Sequence, residues 1–292
     1  MHSSILFPGQ ASQTPDMRDL VADVRPDLLA MAIDVVGEDP FARVDDGTDF
    51  AQPALFCASL AGFSTLDLEP AAVAGHSLGE LAALVAAGSL DEADGLSLVA
   101  LRGRLMQRAG EASGTGGMLA VLGEGDVAGL AHRHGVTVAN DNAPGQLVLS
   151  GDREALDAVA SDARAAGLKS MKLSVAGAFH SPHMEPAVDA FARAVDAVEV
   201  REPAVPVFSC VTAAPLKDAA EIRYRLVEGI TSPVLWRQTL VALHAAGVRR
   251  FVETGPGKVL TRLVKRTLDD VEALTASQAA AAATRPEATA RA

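Results

Sequence analysis

Apolar and polar positions along this chain run in two alternating rhythms. Ser4-Ile5-Leu6-Phe7 is a short apolar run broken at Pro8-Gly9, as a buried strand would be. Ala71-Ala72-Val73-Ala74 is a second such run. After it, Leu78, Leu81, Ala82 and Val85 recur at helical spacing, and Gly88 is placed to stop that helix. Asp91 then opens a long amphipathic helix, with Leu98, Leu101 and Leu105 on one face and Arg102 beside it. The glycine-rich break Ser113-Gly114-Thr115-Gly116-Gly117 ends this part.

The next segment is patterned differently. Met118–Leu122, Val136–Ala139, Gln146–Ser150 and Lys169–Leu173 read as strands, and Asp126–Arg133 and Arg153–Ala166 as helices. That order, β-α-β-β-α-β, is the split βαβ arrangement of a ferredoxin-like unit. The expectation is therefore a small domain, residues 117–179, inserted into a larger discontinuous one, residues 1–116 and 180–271. After Pro186 the larger pattern resumes. A helix runs to about Val198, then come a strand at Val205–Val211, helices, a strand at Phe251–Thr254 and a helix from Lys258. From about Glu272 the chain is Ala-rich without apolar periodicity, which predicts a disordered tail over 272–292.

With 292 residues, 49% hydrophobic and 21% charged, the chain can bury a sizeable core and reads as a soluble enzyme. No apolar run reaches the roughly 20 residues of a membrane span, and the N-terminus lacks the pattern of a signal peptide. Cys57 and Cys210 are too few for a disulfide framework, which points to a reducing cytoplasm. A net charge of −12 argues against nucleic acid or an anionic membrane as partner. If the partner is itself acidic, docking needs a local basic cluster. Lys258 to Arg266 and the pair Lys169 and Lys172 are the candidates.

Gly75-His76-Ser77-Leu78-Gly79 is G-x-S-x-G between a strand and a helix, the pattern of a nucleophile elbow. A serine there has an exposed hydroxyl, and the N–H of the next residue is available to an oxyanion. Such a serine needs a base. Of the seven histidines, His2 is terminal, His132 and His134 fall in a surface helix and turn, and His76 adjoins the serine, where neighbours point apart. His180 and His183 lie in a proline-punctuated turn at the proposed domain junction, where clefts form. His244, on an amphipathic helix, stays open as a rival base.

Phe7-Pro8-Gly9-Gln10, Gly75-His76-Ser77-Leu78-Gly79-Glu80 and Leu101-Arg102-Gly103 occur in that order along the chain. Asn142-Ala143-Pro144-Gly145-Gln146, Ala178-Phe179-His180-Ser181 and Thr254-Gly255-Pro256-Gly257 follow. Together they resemble malonyl-CoA:acyl-carrier-protein transacylases and the related acyltransferase domains of polyketide synthases, over about residues 4–268. The resemblance implies an α/β fold, an α/β-hydrolase-like core with an inserted ferredoxin-like subdomain. It implies Ser77 as nucleophile, His180 as base, the backbone N–H groups of Gln10 and Leu78 as oxyanion hole, and Arg102 as anchor for a malonyl carboxylate. Phe179 is the bulky residue of malonyl-selective relatives, and Gln52 and Asn142 match polar positions lining the cleft.

The resemblance also implies that the histidine is oriented by a backbone carbonyl, in the segment Leu226–Val234. There the chain departs from relatives that often carry glutamine where Gly229 stands, and His183 occupies a commonly apolar position. The implied reaction uses malonyl-CoA and the phosphopantetheine thiol of an acyl carrier protein, with no metal and no bound cofactor, in a cytoplasmic monomer serving fatty acid or polyketide synthesis. Two other readings stand beside it: a serine hydrolase or thioesterase of the same core, and a non-catalytic subunit that binds carrier protein.

Overall fold

The computed structural model describes residues 2–283. Strand β1 (Ser3–Phe7) is buried throughout and is followed by helices α1 (Met17–Val24), α2 (Pro26–Val36) and α3 (Thr48–Ser64). Strand β2 (Ala72–Gly75) runs into α4 (Gly79–Ala86), and α5 (Glu92–Ser113) follows. Next come β3 (Gly116–Leu122), α6 (Val127–Arg133), β4 (Thr137–Ala143), β5 (Gln146–Asp152), α7 (Arg153–Ala165) and β6 (Lys169–Lys172). Then come α8 (Glu185–Ala197), β7 (Val207–Phe208), α9 (Ala219–Glu228) and α10 (Trp236–Ala245). The described chain closes with β8 (Arg250–Glu253), α11 (Val259–Thr267), β9 (Glu272–Thr275) and α12 (Ala276–Ala283).

The strands form two sheets. One is parallel, in the order β7-β2-β1-β8-β9, and the other antiparallel, in the order β4-β5-β3-β6. Helices cover both faces of the parallel sheet, so its strands are continuous apolar runs. Alternate residues of β1 feed two cores. Ile5 and Phe7 pack with Leu55, Phe56 and Phe191, while Leu6 packs with Trp236, Leu240 and Phe251. The antiparallel sheet has its own core, where Leu119, Val121 and Leu149 meet Leu130 and Val159 from α6 and α7.

Three expectations need correction. Of the Leu98, Leu101, Leu105 stripe expected on α5, Leu98 is buried in the principal core and Leu105 packs against it, but Leu101 is only half-buried, while Leu96, Val99, Arg102 and Met106 are buried as well. A helix packed on several sides blurs the single-face pattern. The disordered tail expected from 272 is also overturned as far as the structure describes it. Glu272–Thr275 pairs in register with β8, its first N–H donates to the Arg249 carbonyl, and Ala273 is buried. A strand this short at a sheet edge is held by backbone pairing, which leaves no apolar periodicity to read. The remainder of that expectation, 284–292, lies outside the described residues. The strand expected at Val205–Val211 shrinks to Val207–Phe208.

Candidate active site

Four segments converge beyond the carboxyl ends of the parallel strands, where open α/β sheets bind ligands. β1 delivers Pro8-Gly9-Gln10, β2 delivers His76-Ser77, β7 delivers Ser209-Cys210, and β8 delivers Thr254-Gly255. Ser77 has φ 53°, the left-handed backbone of a tight strand-to-helix turn. The flanking glycines make the turn possible. A Cβ at Gly75 would collide with the Gly79 backbone, and one at Gly79 with the Phe7 carbonyl.

Ser77 Oγ lies 2.8 Å from His180 Nε2, and His180 Nδ1 lies 3.0 Å from the Ser232 carbonyl oxygen. A carbonyl only accepts, so Nδ1 carries the proton and Nε2 is free to accept from Ser77. The orienting carbonyl is thus Ser232 O, inside the expected Leu226–Val234 segment and three residues beyond Gly229. His180 itself has φ 56°, so both partners stand on left-handed backbone. Burial, reinforced by the charge of Arg102 and then by His76, pushes the His180 pKa down to about 3.

Arg102, buried on α5, donates through Nη2 to Ser77 Oγ at 3.1 Å and through Nη1 to Gln52 Oε1 at 2.9 Å. Burial lowers its pKa to about 10, so it remains charged at neutral pH. It has no carboxylate ion pair among the described residues. Gln52 Nε2 in turn donates to Thr48 Oγ1 at 3.1 Å, and Thr48 Oγ1 donates to Gln10 Oε1 at 2.7 Å. A continuous polar chain therefore runs from Gln10 through Thr48, Gln52 and Arg102 to Ser77, His180 and Ser232. The backbone N–H groups of Gln10 and Leu78 donate to no acceptor among the described residues.

Ser77, Arg102 and His180 line one cleft together with Glu80, Cys210, Val211, and Gly229. A second cleft of about 750 Å³ is lined by Gln10, Thr48, Gln107 and Val175. Glu80, the last residue of the elbow motif, is buried, and its carboxylate accepts from the Cys210 N–H at 2.7 Å and the Ser209 hydroxyl at 3.3 Å. Burial raises its pKa, and those donors oppose the shift.

The other candidates have the following surroundings. Asn142 Oδ1 lies 2.8 Å from His76 Nε2, which ties β4 to the elbow. Phe179 is buried in the principal core and is not among the residues lining the Ser77 cleft. His244 lies on α10 outside that cleft, and His183 points to Asp152 at 3.4 Å. Of the basic candidates, Lys172 pairs with Asp157, Arg266 donates to Gln146 and the Pro144 carbonyl, and Lys258, Arg262 and Lys265 are exposed on and beside α11. Sequence reasoning missed Thr48, Glu80, Cys210 and Ser232. Glu80 had a signal in the elbow motif, whereas Ser232 acts through its backbone and could have none.

The comparisons place this arrangement in a known class. Residues 30–290 match the acyl transferase domain family, and the chain belongs to that family. It is 37% identical to the malonyl CoA-acyl carrier protein transacylase of Salmonella typhimurium, over 95% of this chain and 96% of that protein. Its fold superposes on an acyl carrier protein S-malonyltransferase of Vibrio cholerae with a TM-score of 0.88 at 35% identity, covering 94% and 96% of the two chains. A malonyl-transacylase solved in complex with its type II polyketide-synthase acyl-carrier protein matches with a TM-score of 0.84 at 35% identity, covering 94% of each chain.

Proposed function

We propose that this protein moves a malonyl group from coenzyme A to the phosphopantetheine thiol of an acyl carrier protein, by way of a malonyl ester on Ser77. The observation that carries the reading is a buried guanidinium, with no carboxylate partner among the described residues, on the hydroxyl of an elbow serine that also faces a histidine. His180 Nε2 takes the Ser77 proton as Oγ attacks the thioester carbonyl, and the N–H groups of Gln10 and Leu78 receive the oxyanion. Each such donor contributes roughly 3 kcal/mol in the transition state. The tetrahedral intermediate expels the coenzyme A thiol, which leaves with the proton from His180. The carrier thiol then attacks the ester by the same steps in reverse.

Arg102 exchanges its bond to Ser77 for two parallel bonds to the malonyl carboxylate, a geometry that guanidinium matches and lysine does not. Neutralising Arg102 also removes the second cause that holds His180 below its usual range. A carboxylated acyl group therefore strengthens the base that activates its own attack, and selectivity falls on kcat as well as on binding.

The parallel unit reads as an α/β-hydrolase-like core, residues 1–116 and 180–271 extended by β9. The unit over 117–179 reads as ferredoxin-like, supported by its chain order and the sheet order β4-β5-β3-β6. The second cleft beside Gln10 has the size of a small-molecule site and suits the pantetheine arm. The exposed cations Lys258, Arg262 and Lys265 suit an acidic carrier protein. Two buried free cysteines support a reducing cytoplasm. No helix among the described residues is long and apolar enough to cross a membrane.

The test is coenzyme A release from malonyl-CoA with and without carrier protein bearing its phosphopantetheine arm. Transfer requires release beyond one equivalent only when the carrier is present. Continuous release with water alone would make the protein a thioesterase, and no release in either case would make it a binding subunit.

A further inference from the structure

No residue of the antiparallel sheet is among those lining the Ser77 cleft, yet the sheet touches what holds the site together. Its strand β4 reaches across to the segment that carries Ser232. The Val234 N–H donates to the Ala139 carbonyl at 2.8 Å, and the Asp141 N–H donates to the Val234 carbonyl at 2.9 Å. Register shifts interrupt the pairing of β4 with β5 between Val138 and Asn140 and between Asp141 and Ala143. Such irregularities free a strand's backbone and re-aim its side chains. Here they turn Asp141 toward α10. Arg237 forks onto its carboxylate, with Nε 2.9 Å from Oδ1 and Nη2 2.7 Å from Oδ2, and Gln238 Nε2 adds a bond to Oδ2 at 2.7 Å. The carboxylate is buried to 11% exposure while Arg237 remains 44% exposed.

These bonds bracket the stretch that carries the Ser232 carbonyl. Ser232 lies between the end of α9 and the Val234 bridge, and on the far side the Leu235 N–H donates to the Cys210 carbonyl at 2.6 Å. The segment has no regular structure of its own, so its backbone is as well placed as what it is tied to. The next residue of β4, Asn142, holds His76 beside the serine.

We infer that Asp141 is a positioning residue for His180: by clamping Arg237 and Gln238 against β4, it fixes the Ser232 carbonyl that sets the imidazole's tautomer and aim. The inference rests on His180 being the base. It assigns to the inserted unit a part in the chemistry, because the carbonyl is held in place across the boundary between the two sheets. A misplacement of a catalytic group by about 1 Å costs on the order of 10²-fold, and partial loosening costs less.

The experiment compares wild type with Asp141→Asn, Arg237→Gln and the double variant. Each is assayed for Ser77 malonylation under single-turnover conditions, for KM, for Tm, and by NMR of the imidazole Nδ1 proton in enzyme labelled at histidine nitrogen. Asp141→Asn should slow malonylation by about tenfold to thirtyfold, leave KM for malonyl-CoA within about twofold, and broaden the His180 Nδ1 proton by exchange with water. Arg237→Gln should do the same, and the double variant should lose no more than the worse single one, as partners in one clamp do. Arg237 is at the surface, so that variant keeps the test available if Asp141→Asn folds poorly. An unchanged rate, or a loss tracking Tm with the Nδ1 signal intact, would overturn the inference. Failure of wild type to malonylate Ser77 would instead overturn the proposed function, while the Nδ1 signal still reports on the clamp without substrate.

Discussion

Ser77 and His180 stand 2.8 Å apart, yet the protein holds them by different means. Ser77 sits at the joint of β2 and α4, two regular elements packed so closely that only glycine fits at Gly75 and Gly79. His180 sits between β6 and α8, in irregular chain just before a single 3-10 turn at Pro182–Met184, and the carbonyl that aims it comes from an irregular segment. The serine side is rigid through local geometry. The histidine side is rigid through long-range bonds, many of them to the other sheet. Changes on the first side should therefore act directly and severely, and changes on the second should be graded by how far they stand from the carbonyl.

The largest effect expected is on the histidine itself. His180→Ala should slow malonyl loading by about 10²–10⁴, the usual share of a general base, and His244→Ala should leave it near normal. Equal losses in stopped-flow loading would put both residues in structural roles. Arg102→Ala leaves the malonyl carboxylate unpaired, a penalty of roughly 3–5 kcal/mol if it matches that for a broken buried ion pair. Loading from acetyl-CoA should change far less, and an unaltered malonyl-to-acetyl ratio would remove Arg102 as anchor.

Acidity offers a sharper separation. With the His180 pKa near 3, the imidazole is neutral, and so competent, at every pH above that value. Loading should stay nearly level from pH 8 to pH 5 and fail only as the pH approaches the depressed value. A histidine of ordinary pKa would lose about thirtyfold over that span, so such a fall would show that burial does not control the base.

Gly229→Ala should have a small effect. Its backbone is helical at φ −63°, and an added Cβ would meet the Arg225 carbonyl at 3.2 Å and Val211 at 3.4 Å. Loading should change by no more than about threefold, because alanine keeps the carbonyl at 229 and misplacement by a few tenths of an ångström costs little. A large loss would return the orienting role to position 229. His183→Ala should have the smallest effect. It removes a half-exposed contact to Asp152, and loading and stability should both hold, the latter within about 0.5 kcal/mol.

The same contrast explains what could be read from the sequence. The elbow was legible because its function depends on residue types at fixed spacing, glycine for approach and serine for chemistry. The order of the inserted unit was legible too, because its strands and helices keep clean periods. Gln52 and Asn142 were recognised as polar positions near the cleft, but their partners, Arg102 and His76, lie far away in sequence. Ser232 was hidden because any residue supplies a carbonyl. The packing of Phe179 was hidden because resemblance names a position without saying which way its side chain points. The strand at Glu272–Thr275 was hidden because its stability comes from β8 rather than from its own composition.

The central claim is that Ser77 carries the acyl group between donor and acceptor. Mix the enzyme with malonyl-CoA, quench within the first turnover, and map the adduct by mass spectrometry, before and after adding carrier protein with its phosphopantetheine arm. The account predicts one malonyl group on the peptide containing Ser77, absent in Ser77→Ala, and its appearance on the carrier as the enzyme adduct disappears. Malonyl-carrier formed by Ser77→Ala at the wild-type rate, or an adduct that only water discharges, would contradict it.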